Sequence, residues 1–217
     1  YSGTSFDLLA NSVIELTAGV PIAKKAPRDQ RAKSAMDNLL TAAYALVDVA
    51  KACRGIPNKE LAAMYDKDFK EAVLLAEKLG VDTIVTFSGC PGDHEGAKYP
   101  NWVTCPWPED FLAILDYQWN EVLIPYWKET AAFAKSHGVT KIAFEMHPGF
   151  CVYNPETLLK LRAAVGDVIG ANFDPSHLIW QGMDPVAAIR ELKGAIYHVH
   201  VKDTKIDTYN TAKNGVL

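Results

Sequence analysis

Short apolar runs alternate with longer amphipathic stretches along most of the chain. Four runs rich in Val, Ile and Phe predict β-strands at 82–87, 141–146, 168–174 and 195–201. Stretches with a 3.6-residue periodicity predict helices at 59–79, 109–136, 155–164 and 185–192, with the long one broken near Pro125. Because strands and helices alternate, the pattern predicts a parallel sheet.

The first quarter of the chain is less regular. Residues 29–53 carry apolar positions at helical spacing and predict an amphipathic helix, and 13–16 fits a short strand.

The glycines at 88–93 (SGCPGD) do not have the Gly-x-Gly-x-x-Gly spacing, which argues against a dinucleotide-binding sheet. Periodicity alone leaves both an open doubly wound sheet and a closed (β/α)8 barrel compatible with the pattern.

The composition is typical of one globular domain, with 217 residues, 49% hydrophobic and 22% charged. No apolar run approaches the roughly 20 residues of a membrane helix, and no signal peptide pattern opens the chain, so we expect a cytoplasmic protein without a membrane partner. The net charge of −4 offers no basic face for nucleic acid. The four cysteines form no Cys-x-x-Cys pair and are expected to be free thiols.

Three of the predicted strands end in, or run into, an ionisable residue: Glu145, Asp174 and His200. Since strand side chains alternate, these residues share a face with small or polar neighbours. The opposite face is apolar and is expected to pack beneath helices; it comprises Phe144, Met146, Phe173 and Val199. A polar inner face with an apolar outer face favours the barrel, whose catalytic groups lie at the carboxyl ends of the strands.

Two carboxylates and an imidazole from successive strand ends can converge on one divalent cation. Oxygen and nitrogen ligands without thiolate suit Mn²⁺, Mg²⁺, Co²⁺ or Zn²⁺. Each residue could instead cap its own strand, but three in register on consecutive units favour the shared site. His177 follows Asp174 across a Pro-Ser turn and is expected to lean over the site, and His147 lies on the same face as Glu145.

The segments 144–149 (FEMHPG), 172–182 (NFDPSHLIWQG) and 198–203 (HVHVKD) resemble the sugar phosphate isomerase/epimerase family of xylose-isomerase-like TIM barrels. The loops 87–93 (FSGCPGD) and 99–108 (YPNWVTCPWP) resemble the family as well. The resemblance covers about 54–217 and implies a (β/α)8 barrel. The whole of 1–217 is expected to form a single barrel domain, in which 1–53 match the family poorly.

The resemblance also implies roles for individual residues. Glu145, Asp174 and His200 match three of the family's four metal ligands, and His177 matches a histidine that contacts substrate. Independently of the resemblance, Trp107 in the long loop is expected to stack on the apolar face of a sugar, and Lys202 is expected to bind substrate as well. The family pattern places the first strands, the last strand and a glutamate that is the fourth ligand outside the sequence from 1 to 217.

The function that this pattern favours is a divalent-metal-dependent isomerase or epimerase acting on a small sugar or sugar phosphate. Glu145 would remove a proton next to a carbonyl, giving an enediolate, with His177 as a second catalytic group. A lyase similar to inosose dehydratase is chemically close. An apurinic endonuclease-like hydrolase would need a basic groove for phosphates and additional histidines for three metal ions. The net charge of −4 and the count of six histidines therefore disfavour it. An inactive barrel with a binding role and a homo-oligomeric assembly both remain open.

Overall fold

A single parallel sheet organises the part of the chain that the structure, a computed structural model, describes: residues 58–216. Its four strands lie in chain order, so each strand pairs in parallel with the next one along the sequence. The strands are β1 (Thr83–Thr86), β2 (Lys141–Glu145), β3 (Ile169–Phe173) and β4 (Ile196–Val199). The helix predicted at 29–53 and the strand predicted at 13–16 lie outside the described residues.

Helices connect the strands and continue beyond β4. They are α1 (Asn58–Leu79), α2 (Asp110–Asp116), a π-helical segment (Tyr117–Leu123), α3 (Ile124–Ser136), α4 (Pro155–Val165), α5 (Pro175–Ile179), α6 (Pro185–Glu191) and α7 (Thr208–Asn214). Strands in sequential order with helical crossovers form half of a (β/α)8 barrel, which confirms the predicted fold class. Between residues 58 and 216, no helix is both long and apolar enough to cross a bilayer.

All four predicted strands are present, and two short helices are additional to the prediction. The helix α5 begins directly after Asp174 and α7 directly after Asp207. Three helices start with an Asn or Asp cap followed by proline, which is preorganised for the first helical turn. The three caps are Asn154, Asp174 and Asp184.

The two helices predicted to meet near Pro125 are present, but a π-helical segment joins them instead of a break. Residues 110–136 are helical throughout, and the wider π-helical turns of Tyr117–Leu123 precede Pro125, which lies in the first turn of α3. The N–H of Ile124 bonds back to the carbonyl of Trp119, five residues earlier. The wider turn leaves room for the proline ring, which would otherwise clash with the carbonyl four residues before it.

The outer face of the sheet packs beneath the helices, as predicted for three of its four residues. Phe144 is fully buried, and its ring meets the ring of Trp127 edge-on at 4.6 Å, while Met146 and Phe173 are also buried. Val199 differs from the prediction, since half of its surface is exposed. It lies on β4, which pairs only with β3 among the described residues, so less of the molecule covers it.

The π-helical segment holds the long loop after β1. The buried side chain of Gln118 donates its Nε2 hydrogens to the carbonyls of Pro91 (2.8 Å) and Asn101 (2.6 Å). Gln118 therefore holds together two points of this loop that lie ten residues apart in the sequence.

Replacing Gln118 by leucine is expected to lower the free energy of unfolding by about 2 kcal/mol, because buried carbonyls lose their donor. Urea denaturation measures the change. The control is Asn120→Ala on the same segment, where an exposed side chain bonds Asp116, and its effect should stay within about 0.5 kcal/mol. Equal effects of the two substitutions would contradict the anchoring role of Gln118.

Candidate metal centre

The ionisable residues at the strand ends lie at one edge of the sheet. Glu145 is the last residue of β2, while Asp174 and His200 directly follow β3 and β4. The N–H of His200 donates to the carbonyl of Phe173 at 2.9 Å, so the chain after β4 still lies beside β3. Because the carboxyl ends of parallel strands share one edge, these side chains converge.

The distances describe a compact cluster. His200 Nδ1 lies 3.4 Å from Glu145 Oε2 and 3.4 Å from Asp174 Oδ2. His177 Nε2 lies 3.0 Å from Glu145 Oε1 and 3.6 Å from Asp174 Oδ2. Ligand atoms of Glu145, Asp174 and His177 all lie within 4.8 Å of one another, a grouping that could hold a metal ion. The structure thus brings together all four residues that the sequence singled out around the metal.

The two carboxylates are buried, with side-chain exposures of 10% for Glu145 and 1% for Asp174. Lys202 Nζ lies 2.5 Å from Asp174 Oδ2 and 4.0 Å from Glu145 Oε1. Two buried negative charges within 4.8 Å of each other need a nearby positive charge, since desolvating unpaired ions is costly. Lys202, expected from the sequence to bind substrate, is therefore a counter-charge of the carboxylates in this structure.

The two oxygens of Asp174 have different surroundings. Oδ1 accepts from the N–H of Ser176 at 3.0 Å and from its hydroxyl at 2.7 Å, and so caps α5. Oδ2 is buried and accepts no hydrogen bond of good geometry, although Lys202 approaches it closely. Burial raises the pKa of Asp174, but the Lys202 contact and the Ser176 hydrogen bonds together outweigh it and hold the pKa below its usual value.

A divalent cation fits this arrangement on two grounds. Asp174 Oδ2 is buried and accepts no hydrogen bond of good geometry, and a metal ion would take the place of Lys202 as its positively charged partner. The donors that surround it are carboxylate oxygens and imidazole nitrogens, the ligand types of Mn²⁺, Co²⁺ and Zn²⁺ and, through the carboxylates, of Mg²⁺.

His177 is suited to act as a neutral group. Burial lowers its pKa first of all, and the nearby His147 and Lys202 lower it further, against the opposing effect of the two carboxylates. The ring of His147 lies 4.1 Å from the ring of His177, centroid to centroid. A pKa below 6.5 leaves the imidazole uncharged at neutral pH, with one nitrogen lone pair free to bind a metal or to accept a proton.

Asn172 orients the cluster, a role that the sequence did not reveal. This fully buried residue pairs with Glu145 across β2 and β3, and its Nδ2 lies 3.3 Å from Glu145 Oε2. His198 Nδ1 lies 2.8 Å from its Oδ1 on the other side. Alternation along β3 puts Asn172 on the same face as Asp174, but only the strand register identifies its partners.

An aromatic wall, defined here as Phe87, His147 and Phe150, stands beside the cluster. The rings of Phe87 and Phe150 stack at 4.6 Å, and His147 meets both edge-on at 5.8 Å. Since His147 also contacts His177, the wall is continuous with the cluster. The position of Phe87 directly after β1 is the sequence signal for it.

The tryptophans of the long loop differ in exposure. Trp107 is 76% exposed, and its predicted stacking on a sugar stays a prediction. Trp102, the other tryptophan of the loop, meets the ring of Tyr153 edge-on at 5.4 Å. Its indole Nε1 is buried without a hydrogen-bond partner.

Two comparisons of sequence connect the chain to known proteins. It is 50% identical to the uncharacterized protein YfiH of Bacillus subtilis (strain 168) over 169 residues, which are 76% of this chain and 54% of that protein. It is 31% identical to inosose dehydratase of Clostridium botulinum (strain Alaska E43 / Type E3) over 78 residues, 36% of this chain and 26% of that enzyme. The chain thus spans about half the length of YfiH.

A comparison of structure gives the same architecture. The crystal structure of a D-tagatose 3-epimerase-like protein matches with a TM-score of 0.50 and 21% identity, covering 68% of this chain and 51% of that one. At that identity the match establishes the fold alone. The family model described as xylose isomerase-like TIM barrel matches residues 54–214, about three quarters of the sequence, and the chain therefore belongs to the xylose isomerase-like TIM barrel family.

Proposed function

We propose that this protein is a divalent-metal-dependent isomerase or epimerase that moves a proton next to the carbonyl of a small sugar. One observation carries the proposal: two buried carboxylates and two imidazoles meet at the carboxyl ends of three adjacent parallel strands. Substrates of barrel enzymes bind at that end. The proposal assigns the metal to Glu145, Asp174 and His200.

The chemistry needs a base within reach of the substrate carbon and polar groups that hold the substrate oxygens. Glu145 serves as the base, because its Oε1 faces His177 while its Oε2 is directed toward His200 and Asn172. His177, uncharged at neutral pH, binds a substrate oxygen and stabilises the negative charge that develops there. When bound, the metal ion supplies positive charge to the substrate oxygens and so favours proton removal from the adjacent carbon.

Two further features support a small polyhydroxylated substrate. Lys202 adds a positive charge beside the carboxylates, where substrate oxygens would bind. The aromatic wall offers an apolar face to the C–H groups of a sugar, whose hydroxyls can point toward the polar cluster.

A dehydratase acting on a cyclic polyol ketone is the second candidate. It is favoured by the similarity to inosose dehydratase and by the His147–His177 pair, whose rings lie beside the cluster where they would hold a departing hydroxyl. Both reactions begin with proton removal next to a carbonyl, so the same Glu145 would serve either of them.

Metal content and proton exchange together test the proposal. Protein purified without added metal is analysed for bound elements, and thermal stability is measured with and without Mn²⁺, Mg²⁺, Co²⁺ and Zn²⁺. We expect one of these ions to be bound and to raise the melting temperature, because a ligand that binds the folded state stabilises it. Absence of bound metal together with no stabilisation by any of the four would refute the metal-dependent proposal.

The metal-loaded protein is then incubated in D₂O with a panel of ketoses and cyclic polyol ketones. An isomerase or epimerase incorporates deuterium next to the carbonyl and yields a product of unchanged composition. A dehydratase yields a product that has lost one water, which mass spectrometry detects. Metal binding without exchange on any substrate would favour the inactive barrel instead.

A further inference from the structure

Two cysteines adjoin in the loops that border the candidate metal centre. Cys90 lies in the loop after β1 and Cys151 in the loop after β2, and both are free thiols. The main chains of the two loops are in contact next to the cysteines, since the N–H of Cys151 donates to the carbonyl of Gly89, the residue before Cys90, at 3.0 Å. The Cys90 thiol donates to the carbonyl of Pro91 at 3.8 Å, and the interaction of the two side chains shifts the pKa of both thiols. The fold thus pairs two thiols that lie 61 residues apart in the sequence.

The surrounding contacts hold the two loops together. Ser88 Oγ accepts from the N–H of Val152 at 3.0 Å, and the Ser88 carbonyl accepts from the indole N–H of Trp127, also at 3.0 Å. Cys90 is partly exposed, whereas Cys151 is buried. The Cys90 thiol is therefore accessible to a small oxidant, whereas the Cys151 thiol is shielded from solvent.

We propose that Cys90 and Cys151 form a peroxide-reactive dithiol, in which Cys90 is oxidised first and Cys151 resolves it to a disulfide. Disulfides require closely spaced main chains, as these two loops have. Neither cysteine belongs to the metal cluster, so this chemistry is separate from the proposed isomerase activity.

The steps balance with hydrogen peroxide as the oxidant. The Cys90 thiolate attacks one peroxide oxygen, an S–O bond forms as the O–O bond breaks, and the departing hydroxide takes up a proton as water. The sulfur of Cys151 then attacks the sulfenic acid, forming the S–S bond and releasing a second water. The two thiols lose two electrons, and peroxide gains them.

The pKa shifts of the two thiols agree with Cys90 being oxidised before Cys151 reacts. The hydrogen bond from the Cys151 thiol lowers the pKa of Cys90, although burial opposes it. The contact with Cys90 and burial both raise the pKa of Cys151. Cys90 is thus the better source of the thiolate, which is the nucleophile in thiol oxidation.

Oxidation would join the loops that carry the aromatic wall. Phe87 lies three residues before Cys90, and Phe150 directly precedes Cys151. Because His147, a member of this wall, contacts His177, a disulfide would restrain the wall beside the metal cluster. This consequence rests on the proposed function, whereas the dithiol chemistry does not.

The test maps disulfides in the purified protein after brief treatment with dilute hydrogen peroxide. Remaining thiols are blocked, and trypsin digestion follows without reductant. Cleavage after lysine places Cys90 in peptide 79–98, Cys151 in 142–160 and Cys105 in 99–128. We expect a cross-linked pair of 79–98 with 142–160 that dithiothreitol separates. Cys90→Ser and Cys151→Ala should each abolish it, while Cys105→Ser, at an exposed position, leaves it unchanged.

Three outcomes would overturn the proposal: no cross-link, cross-links mainly to Cys53 or Cys105, or Cys90 oxidised to sulfinic acid without a disulfide. Should Cys151→Ala fail to fold, the map of the unaltered protein and of Cys90→Ser still decides. The readout needs neither metal nor substrate, so its failure is distinguishable from a failure of the isomerase proposal.

Discussion

Replacing Asp174 by asparagine is expected to weaken Mn²⁺ binding by about 100-fold or more, with turnover lost in parallel. Residues that merely orient metal ligands typically contribute 10- to 100-fold in affinity, so removal of a ligand charge should exceed that range. The amide retains Oδ1, which caps α5, and replaces only Oδ2, which faces the cluster. The variant should therefore fold, and calorimetric titration with Mn²⁺ measures the loss.

Asp184→Asn is a closely matched control. Asp184 also precedes a proline, and its Oδ1 caps α6 by accepting from the N–H of Val186 at 2.9 Å. The same substitution there keeps the cap and touches no residue of the cluster. We expect Asp184→Asn to bind Mn²⁺ with unchanged affinity. If both variants bind the ion like the unaltered protein, Asp174 is not a ligand.

The relative positions of the strand-end residues could be predicted from the sequence, because two regular features of parallel sheets determine them. Side chains alternate along strands, and parallel strands end at one edge, so Glu145, Asp174 and His200 had to lie on one face near one another. Their contacts in the structure agree with that reasoning. The same alternation predicts which side chains are buried beneath the helices. That prediction is wrong only at Val199, because the burial of Val199 depends on neighbouring elements rather than on the strand itself.

Contacts between distant segments could not be predicted in the same way. The register of β2 and β3 decides that Asn172 meets Glu145, and the course of the chain after β4 decides that Lys202 meets Asp174. Asp174 illustrates a second reason, since its side chain serves both as a helix cap and as a member of the cluster. The Asp-Pro-Ser-His segment therefore begins a helix instead of forming only the predicted turn, because Asp174 caps it.

The proposed function assigns the third metal ligand to His200 and a substrate contact to His177. Alanine substitution of each histidine tests this assignment. We expect His177→Ala to keep Mn²⁺ affinity within about threefold while turnover falls roughly ten- to a thousand-fold, the range for a lost transition-state contact. His200→Ala should instead weaken Mn²⁺ binding by about 100-fold, because its Nδ1 lies at equal distance from both carboxylates. His94→Ala, at an exposed loop position, controls for loss of an imidazole. The reverse pattern of affinities would make His177 the ligand, since its Nε2 also reaches both carboxylates, and would leave His200 as the group that contacts substrate.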